Sequence, residues 1–185
     1  MPRNRKCLVH NSLLSVCFRT EEGLPFIPVP CLKHILTDIA ARAQTKYPVI
    51  ISHAMLMSNH VHLILVVDTP ENVPKFIEYL KRESSHAINR LLGRRKRTVW
   101  TEGYSSPVVL DANKAIDEIV YLYTNPQRAN LVETIDQYPN LSSWKLFKAG
   151  GKNTSKHYRI KRSAISELPK RKTSRGEQKA IKNSI

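Results

Sequence analysis

Two spacings of apolar residues alternate along the first 150 residues and predict strands and helices in turn. Short runs of apolar, mostly branched residues at 13–18, 49–57 and 60–67 are typical of buried β-strands. Between these runs, apolar residues recur every three or four positions, which predicts one helix from Pro30 to about Tyr47. The same spacing predicts a second helix that starts at residues 68–71 and closes near Gly93.

A third helix is predicted from Ala112 to Thr124, with Asp111 as its N-cap and Asn125–Pro126 as its end. Its apolar stripe comprises Ile116, Ile119, Val120 and Tyr123, which we expect to face the core. Residues 98–100 and 107–110 are expected to be short strands or extended segments, and residues 142–147 a last docking segment. The predicted fold is therefore α+β: an antiparallel sheet of four or five strands with helices packed on it.

Composition limits the classes of protein that this chain can belong to. No run approaches the roughly 18 apolar residues of a membrane span, and the basic N-terminus lacks the apolar core of a secretory signal. Cys7, Cys17 and Cys31 lack a paired spacing, so we expect free thiols in a reducing compartment. These observations predict a cytoplasmic protein without a membrane partner.

Positive charge is concentrated at the end of the chain. The net charge is +15, and residues 148–185, with 12 basic and 2 acidic side chains, carry +10 of it. This predicts a basic tail, residues 148–185, appended to a domain of residues 1–147. A basic protein with a basic tail indicates a polyanionic partner, most commonly nucleic acid. The alternative is a solvated tail that only keeps the protein in solution.

A pair of histidines provides the first candidate chemistry. His60 and His62 are two residues apart in a predicted strand, so their side chains point to one face and Val61 and Leu63 to the other. Two imidazoles so placed can reach one divalent ion. A short His-x-His sequence is also often structural, so the pair needs support from elsewhere in the chain.

The third helix supplies that support. Tyr121 lies off the predicted core stripe, and Asn125 is four residues later, so the two side chains are neighbours on one helix face. A phenol away from the core, beside an amide that can offer an oxygen, is an unusual pair if the two side chains serve only to pack. The competing interpretation is a surface tyrosine followed by an asparagine that ends the helix.

Together these segments resemble the single-tyrosine HUH transposases, and within them the REP-associated branch. The motifs that carry the resemblance are residues 57–65 (MSNHVHLIL), Trp100 with residues 102–104 (EGY), residues 121–132 (YLYTNPQRANLV), and Tyr138–Pro139 with residues 142–144 (SSW). Their order and spacing match from about residue 10 to 147. The resemblance implies a ferredoxin-like HUH endonuclease fold and places the protein on the bacterial nucleoid.

The resemblance also implies a metal-dependent nuclease and strand transferase acting on single-stranded DNA, with a REP-type hairpin as its target. The Tyr121 phenol would attack a phosphodiester and form a 5′-phosphotyrosine, while His60, His62 and Asn125 would hold one Mg²⁺ or Mn²⁺ ion. Tyr123 is a rival nucleophile that the motif position disfavours. Both a monomer and a homodimer are compatible with the resemblance.

Basic side chains outside the candidate site are the expected DNA contacts. They are Arg94, Arg95, Lys96 and Arg97 in a basic loop, Arg128 after the third helix, and Lys161, Arg162, Lys170, Arg171 and Lys172 in the tail. Two other functions remain open at this point. One is a non-catalytic nucleic-acid-binding regulator on the same scaffold, and the other is a phosphodiesterase that activates water in place of the phenol.

Overall fold

The computed structural model describes residues 10–26, 29–93, 95 and 97–150. Its strands are β1 (Ser12–Arg19), β2 (Ile50–Leu56), β3 (His60–Val67) and β4 (Val108–Val109). Its α-helices are α1 (Pro30–Lys46), α2 (Asn72–Leu91), α3 (Ala112–Arg128) and α4 (Trp144–Lys148). Two short 3₁₀ turns, Glu21–Gly23 and Ile135–Gln137, complete the described part.

The described strands form one antiparallel sheet in the order β2-β3-β1-β4. Along the chain, α1 joins β1 to β2 and α2 joins β3 to β4, while β2 and β3 form a hairpin. This connectivity and strand order are ferredoxin-like. The predicted α+β fold with an antiparallel sheet is confirmed, with four strands in the part of the chain described here.

One face of the sheet carries the larger hydrophobic core. Side chains alternate across each strand, so the buried apolar residues of β1 and β3 share this face. From the strands come Leu14, Val16, Phe18, Leu63, Leu65 and Val67, and from α1 and α2 come Leu32, Ile39, Val73, Phe76, Ile77 and Ile88. Trp100 closes one end of this core, and its indole N–H donates to Ser84 Oγ at 2.8 Å.

The opposite face carries polar residues and is only partly covered. Pairing of β1 with β3 sets Arg19 opposite His60 and Cys17 opposite His62. A small second cluster lies beside them, where Leu122 and Tyr123 of α3 pack with Met55, Met57 and Ile64. Helix α3 thus covers part of this face and leaves the end with the histidines open to ligands.

Residues 141–143 cover the outer edge of β2. Leu56 N–H donates to Leu141 O at 2.8 Å, and Ser143 N–H donates to Ala54 O at 3.0 Å. An edge strand with unpaired backbone groups invites pairing with another chain. This segment protects the edge and leads into α4, as expected for a docking segment.

The predicted end of the third helix is wrong. Helix α3 continues to Arg128 with Pro126 inside it. A proline removes one backbone donor and crowds the preceding turn, but here it lies in the last turn and its side chain is buried. Ala129 N–H still donates to Asn125 O, at 2.9 Å, so the helical hydrogen bonding continues past the proline ring. Asn125 is therefore a helical residue, one turn after Tyr121.

The predicted core stripe of this helix is also partly wrong. Ile116 and Val120 are 59% and 54% exposed, whereas Ile119, Leu122 and Tyr123 contact the second cluster. The cause is the limited contact area: α3 lies on the open face of the sheet, and mainly its second half reaches the apolar side chains below it. The second helix also starts later than predicted, at Asn72, after a turn that bonds Asn72 N–H to Thr69 O at 3.1 Å.

No helix in the described residues is long and apolar enough to cross a bilayer.

Truncating Leu65 tests which side chains of β3 face the core. Leu65 is fully buried in the larger core, whereas its neighbour Val66 points to the other face and is 40% exposed. We expect Leu65→Ala to lower the free energy of unfolding by about 2–5 kcal/mol through lost burial and a residual cavity. Val66→Ala should change it by less than about 1 kcal/mol. Urea unfolding followed by circular dichroism measures both, and equal losses would contradict the assigned faces.

Candidate active site

A cleft of about 970 Å³ opens where the ends of β1 and β3 meet α3 and the loop after Trp100. Its lining includes Arg19, His60 and His62 from the strands, Glu118 and Tyr121 from α3, and residues 101–105 from the loop. His60, His62 and Tyr121, which were predicted from two distant segments, therefore line one cavity. The loop is tied to β1 by two bonds between Cys17 and Ser105, of 3.0 and 2.8 Å.

The two imidazoles lie side by side on the floor of the cleft, with ring centroids 6.1 Å apart. His60 Nδ1–H donates to Asn59 Oδ1 at 2.9 Å, which leaves Nε2 as the nitrogen with a free electron pair. That Nε2 lies 3.5 Å from the Asn125 side-chain amide. A hydrogen bond on one ring nitrogen commonly orients the other toward a metal ion.

Burial keeps both rings in the form that binds metals. Burial, followed by the neighbouring His62 and Arg19, lowers the pKa of His60 to about 4. Burial also lowers the pKa of His62, with Arg19 acting in the same direction and Glu118 against it. At neutral pH both imidazoles are therefore uncharged, and only the neutral ring has an electron pair to offer an ion.

The polar groups of the cleft fit a divalent ion with few protein ligands. Within the described residues, His, Cys, Asp and Glu side chains form no cluster of three that could hold a metal ion. The available donors are thus two imidazoles and the Asn125 amide. His62 Nδ1 is buried without a hydrogen-bond partner among the described residues, a rare condition that is expected where a ligand completes a site. Such a set leaves several coordination positions for phosphate oxygens and water.

The two tyrosines of α3 have opposite environments. Tyr121 is 42% exposed in the cleft, with its ring centroid 5.8 Å from that of His62. Tyr123 is 2% exposed, and its hydroxyl lies 2.8 Å from His53 Nδ1 and 2.9 Å from Ser143 Oγ. A phosphodiester can reach Tyr121, whereas the Tyr123 hydroxyl is enclosed and already hydrogen-bonded.

Three polar links hold α3 on the sheet, one to each of three strands. Ser15 Oγ of β1 donates to Glu118 Oε2 at 2.7 Å, His53 of β2 contacts Tyr123, and His60 of β3 contacts Asn125. Burial lowers the pKa of His53, consistent with a neutral ring that accepts a hydrogen bond from the Tyr123 hydroxyl. The links set the rotation of α3, and hence the direction in which Tyr121 points.

Sequence reasoning missed two charged residues of the cleft. Glu118 lies one turn before Tyr121 on the same face, so helical spacing from the tyrosine would have found it. Arg19 is the last residue of β1, and its place in the cleft depends on the pairing of β1 with β3. No local motif marks that pairing.

The structure describes three of the predicted DNA contacts, Arg95, Arg97 and Arg128. The Arg128 guanidinium lies 5.3 Å from the Tyr121 ring centroid, next to the candidate site. Arg95 and Arg97 follow α2, where Asn89 donates to Arg97 O at 2.8 Å, and neither lines the cleft. Arg94, Lys96, Lys161, Arg162, Lys170, Arg171 and Lys172 lie outside the described residues.

Comparison with known proteins identifies the family. The sequence model described as "Transposase IS200 like" matches residues 29–127, which include both histidines, Tyr121 and Asn125. The chain belongs to the IS200-like transposase family. The match covers more than half of this transposase and confirms the resemblance seen in its motifs.

One solved structure supports the fold of the transposase. A REP-associated tyrosine transposase bound to a REP hairpin superimposes with a TM-score of 0.70 at 12% identity, over 87% of this chain and 96% of that one. A candidate transposase from Deinococcus radiodurans aligns with a TM-score of 0.45 at 20% identity, over 65% of this chain and 95% of that one. No curated protein matches the sequence.

Acid should destabilise the fold through the histidines of the cleft. The unfolded chain protonates His60 below about pH 6.5, whereas the folded chain does so only near its pKa of about 4. Unfolding between these values takes up a proton, so the free energy of unfolding falls as the pH drops through this window and levels off below it. Urea unfolding at stepped pH values without divalent ions measures the slope. His60→Asn should make it shallower, and an unchanged slope would contradict the lowered pKa.

Proposed function

We propose that this transposase cleaves and rejoins single-stranded DNA through a covalent 5′-phosphotyrosine on Tyr121. The supporting observation is that an exposed phenol lies 5.8 Å, ring to ring, from one of two paired imidazoles in a cleft open to solvent. We further propose that His60, His62 and Asn125 hold one Mg²⁺ or Mn²⁺ ion. All these groups belong to one chain, so the proposed site needs no second copy.

The reaction is a pair of transesterifications. The Tyr121 hydroxyl loses its proton as its oxygen attacks the phosphorus, the bond to the 3′ oxygen breaks, and the departing 3′ oxygen takes up a proton to become a hydroxyl. In the second step a DNA 3′ hydroxyl attacks the phosphorus of the phosphotyrosine and loses its proton, the bond to the Tyr121 oxygen breaks, and the phenolate departs and takes up a proton. A phenolate is a good leaving group, so no nucleotide cofactor is consumed. A phenol with a pKa near 10 is a weak nucleophile while protonated. When bound, the divalent ion supplies polarisation of a non-bridging phosphate oxygen and stabilises charge in the transition state.

Residues of the chain itself orient the His60 ring and the Tyr121 phenol. Asn59 sets the His60 tautomer, the three links between α3 and the sheet aim Tyr121, and Arg128 lies against the ring of the phenol. Arg128 adds positive charge next to the Tyr121 ring, where it can attract a DNA phosphate. Fixed geometry of this kind can account for a large share of a rate enhancement.

A hairpin is the proposed substrate. A REP hairpin is bound to the transposase whose fold matches this one. The net charge of +15 supports a polyanionic partner, and the cleft of about 970 Å³ is open to solvent. We therefore propose hairpin DNA with an unpaired 5′ extension as the substrate, held by the basic loop, Arg128 and the basic tail.

Loss of one hydroxyl should abolish the covalent step. Wild-type protein incubated with labelled hairpin DNA and Mn²⁺ should give a protein–DNA band that survives denaturing electrophoresis. Tyr121→Phe should give none while binding the same DNA with unchanged affinity, because it lacks only the attacking oxygen. Tyr79→Phe, a half-buried tyrosine on the other side of the sheet, is the matched control and should form the band normally.

Other outcomes of that experiment would point to other functions. A band that persists in Tyr121→Phe would move the nucleophile elsewhere. Cleavage without a band, retained in the variant, would indicate activated water. Binding without cleavage for any suitable hairpin would indicate a non-catalytic regulator.

Deleting residues 150–185 tests the basic tail. We expect weaker hairpin binding and a shallower dependence of log Kd on log salt concentration, because fewer counterions are released per binding event. The deletion should spare the fold, which urea unfolding checks. Affinities that match the full chain at every salt concentration would show that the tail does not contact DNA.

A further inference from the structure

Arg19 occupies a special position in the cleft. It is the last residue of β1, lies directly opposite His60 in the antiparallel pair, and shares a sheet face with both imidazoles. Among the described residues that line the cleft, it is the one lysine or arginine. A cavity that accepts DNA beside two neutral histidines thus has a single guanidinium on its floor.

The backbone beneath this guanidinium is firmly held. Thr101 donates to Arg19 O twice, from its N–H at 2.9 Å and from its hydroxyl at 3.2 Å. The next residue, Thr20, bonds to Asn59 O through its N–H at 2.8 Å and its hydroxyl at 3.0 Å. Arg19 is therefore fixed both to the loop that lines the cleft and to the turn that carries His60. Such anchoring preorganises a side chain for a bound ligand.

No carboxylate of a described residue pairs with the Arg19 guanidinium. Arg42 and Arg82 form ion pairs with Asp38 and Glu83, whereas Arg19 forms none with a described residue. Its described hydrogen-bond partner is the Cys17 thiol, whose pKa is raised by burial, with Arg19 acting in the opposite direction. A thiol is a weak acceptor, and a phosphate offers two charged oxygens that match the guanidinium fork. A phosphodiester entering the cleft would replace the thiol.

Glu118 restricts where in the cleft a phosphate can bind. Its carboxylate is held on the α3 side of the cleft by Ser15 and lines the same cavity. It repels a phosphate, whereas Arg19, on the strand floor next to His60, attracts one. The favoured place for a phosphate is therefore above Arg19 and the histidines, within reach of Tyr121.

We propose that Arg19 is a further catalytic residue, which binds a non-bridging oxygen of the scissile phosphate and stabilises its charge during attack. This inference rests on the proposed function. As the Tyr121 oxygen bonds to phosphorus and the 3′ oxygen departs, the guanidinium stays protonated and donates hydrogen bonds to the phosphoryl oxygens. It neither gives up nor accepts a proton, so its contribution is electrostatic.

The test separates binding from the chemical step. With the hairpin substrate and Mn²⁺, single-turnover cleavage at saturating protein should fall about 10²–10³-fold in Arg19→Ala. The Kd, measured in a Tyr121→Phe background, should rise less than about fivefold, because one phosphate contact among many is lost. Arg19→Lys should recover part of the rate, since it restores the charge without the planar fork. Lys33→Ala, on an exposed position of α1, should leave both quantities unchanged.

A substrate analogue locates the contact. Once wild-type cleavage has mapped the scissile linkage, a methylphosphonate there removes the charged oxygen that Arg19 would bind. The rate ratio of wild type to Arg19→Ala should then shrink toward one, whereas a methylphosphonate one nucleotide away should preserve the full ratio. Urea unfolding confirms that each variant is folded, and Arg19→Lys serves if the alanine variant is not.

The outcomes are distinct. An unchanged rate in Arg19→Ala, a loss confined to Kd, or the same ratio at the neutral linkage would each overturn the role of Arg19 while leaving Tyr121 as nucleophile. Absence of a covalent product from wild type would instead refute the proposed function, and the role of Arg19 with it.

Discussion

The antiparallel pairing of β1 with β3 is the constraint on which both core and cleft depend. It places Leu14 and Val16 with Leu63 and Leu65 on one face, and Arg19 with His60 on the other. Because the side-chain period of a strand is two, a slip of one residue would exchange the faces, burying charge and exposing the core. The core can therefore form only in the strand register that also assembles the cleft. Burial of the apolar side chains thus also fixes the positions of Arg19 and His60.

Helix α3 is attached to this frame by a small contact. Its apolar contact with the sheet is limited to a few residues around Leu122 and Tyr123, and its exposed side carries Ile116 and Val120. Polar links compensate for the small apolar area by fixing rotation, since hydrogen bonds are directional and hydrophobic contact is not. The buried tyrosine acts as an anchor for the helix, and the exposed one, two residues before it, points into the cleft as a result.

Charge in the cleft is arranged asymmetrically. The strand floor has neutral imidazoles beside a guanidinium, whereas carboxylates lie on the α3 side, where Ser15 holds Glu118, and on the loop, which carries Glu102. In a chain of net charge +15, DNA is attracted over long distances by the whole protein. Inside the cleft, the few local charges act over short distances in a less polar medium, where they orient a phosphate more strongly than distant ones do. Long-range attraction and local orientation thus come from different sets of residues.

The sequence by itself determined the elements, the faces of the strands and the family, because these follow from local periodicity and short motifs. The histidine pair on one face and the α+β class were predicted correctly, and the neighbourhood of Tyr121 and Asn125 followed from helical spacing. The end of α3 and its buried stripe were predicted wrongly, because local rules treat Asn125–Pro126 as a stop and every apolar stripe as core. Only the tertiary structure decided how far α3 overlaps the sheet, which tyrosine it buries, and that Arg19 and Glu118 enter the cleft. Those outcomes depend on contacts between residues 40 to 100 positions apart, which no local pattern encodes.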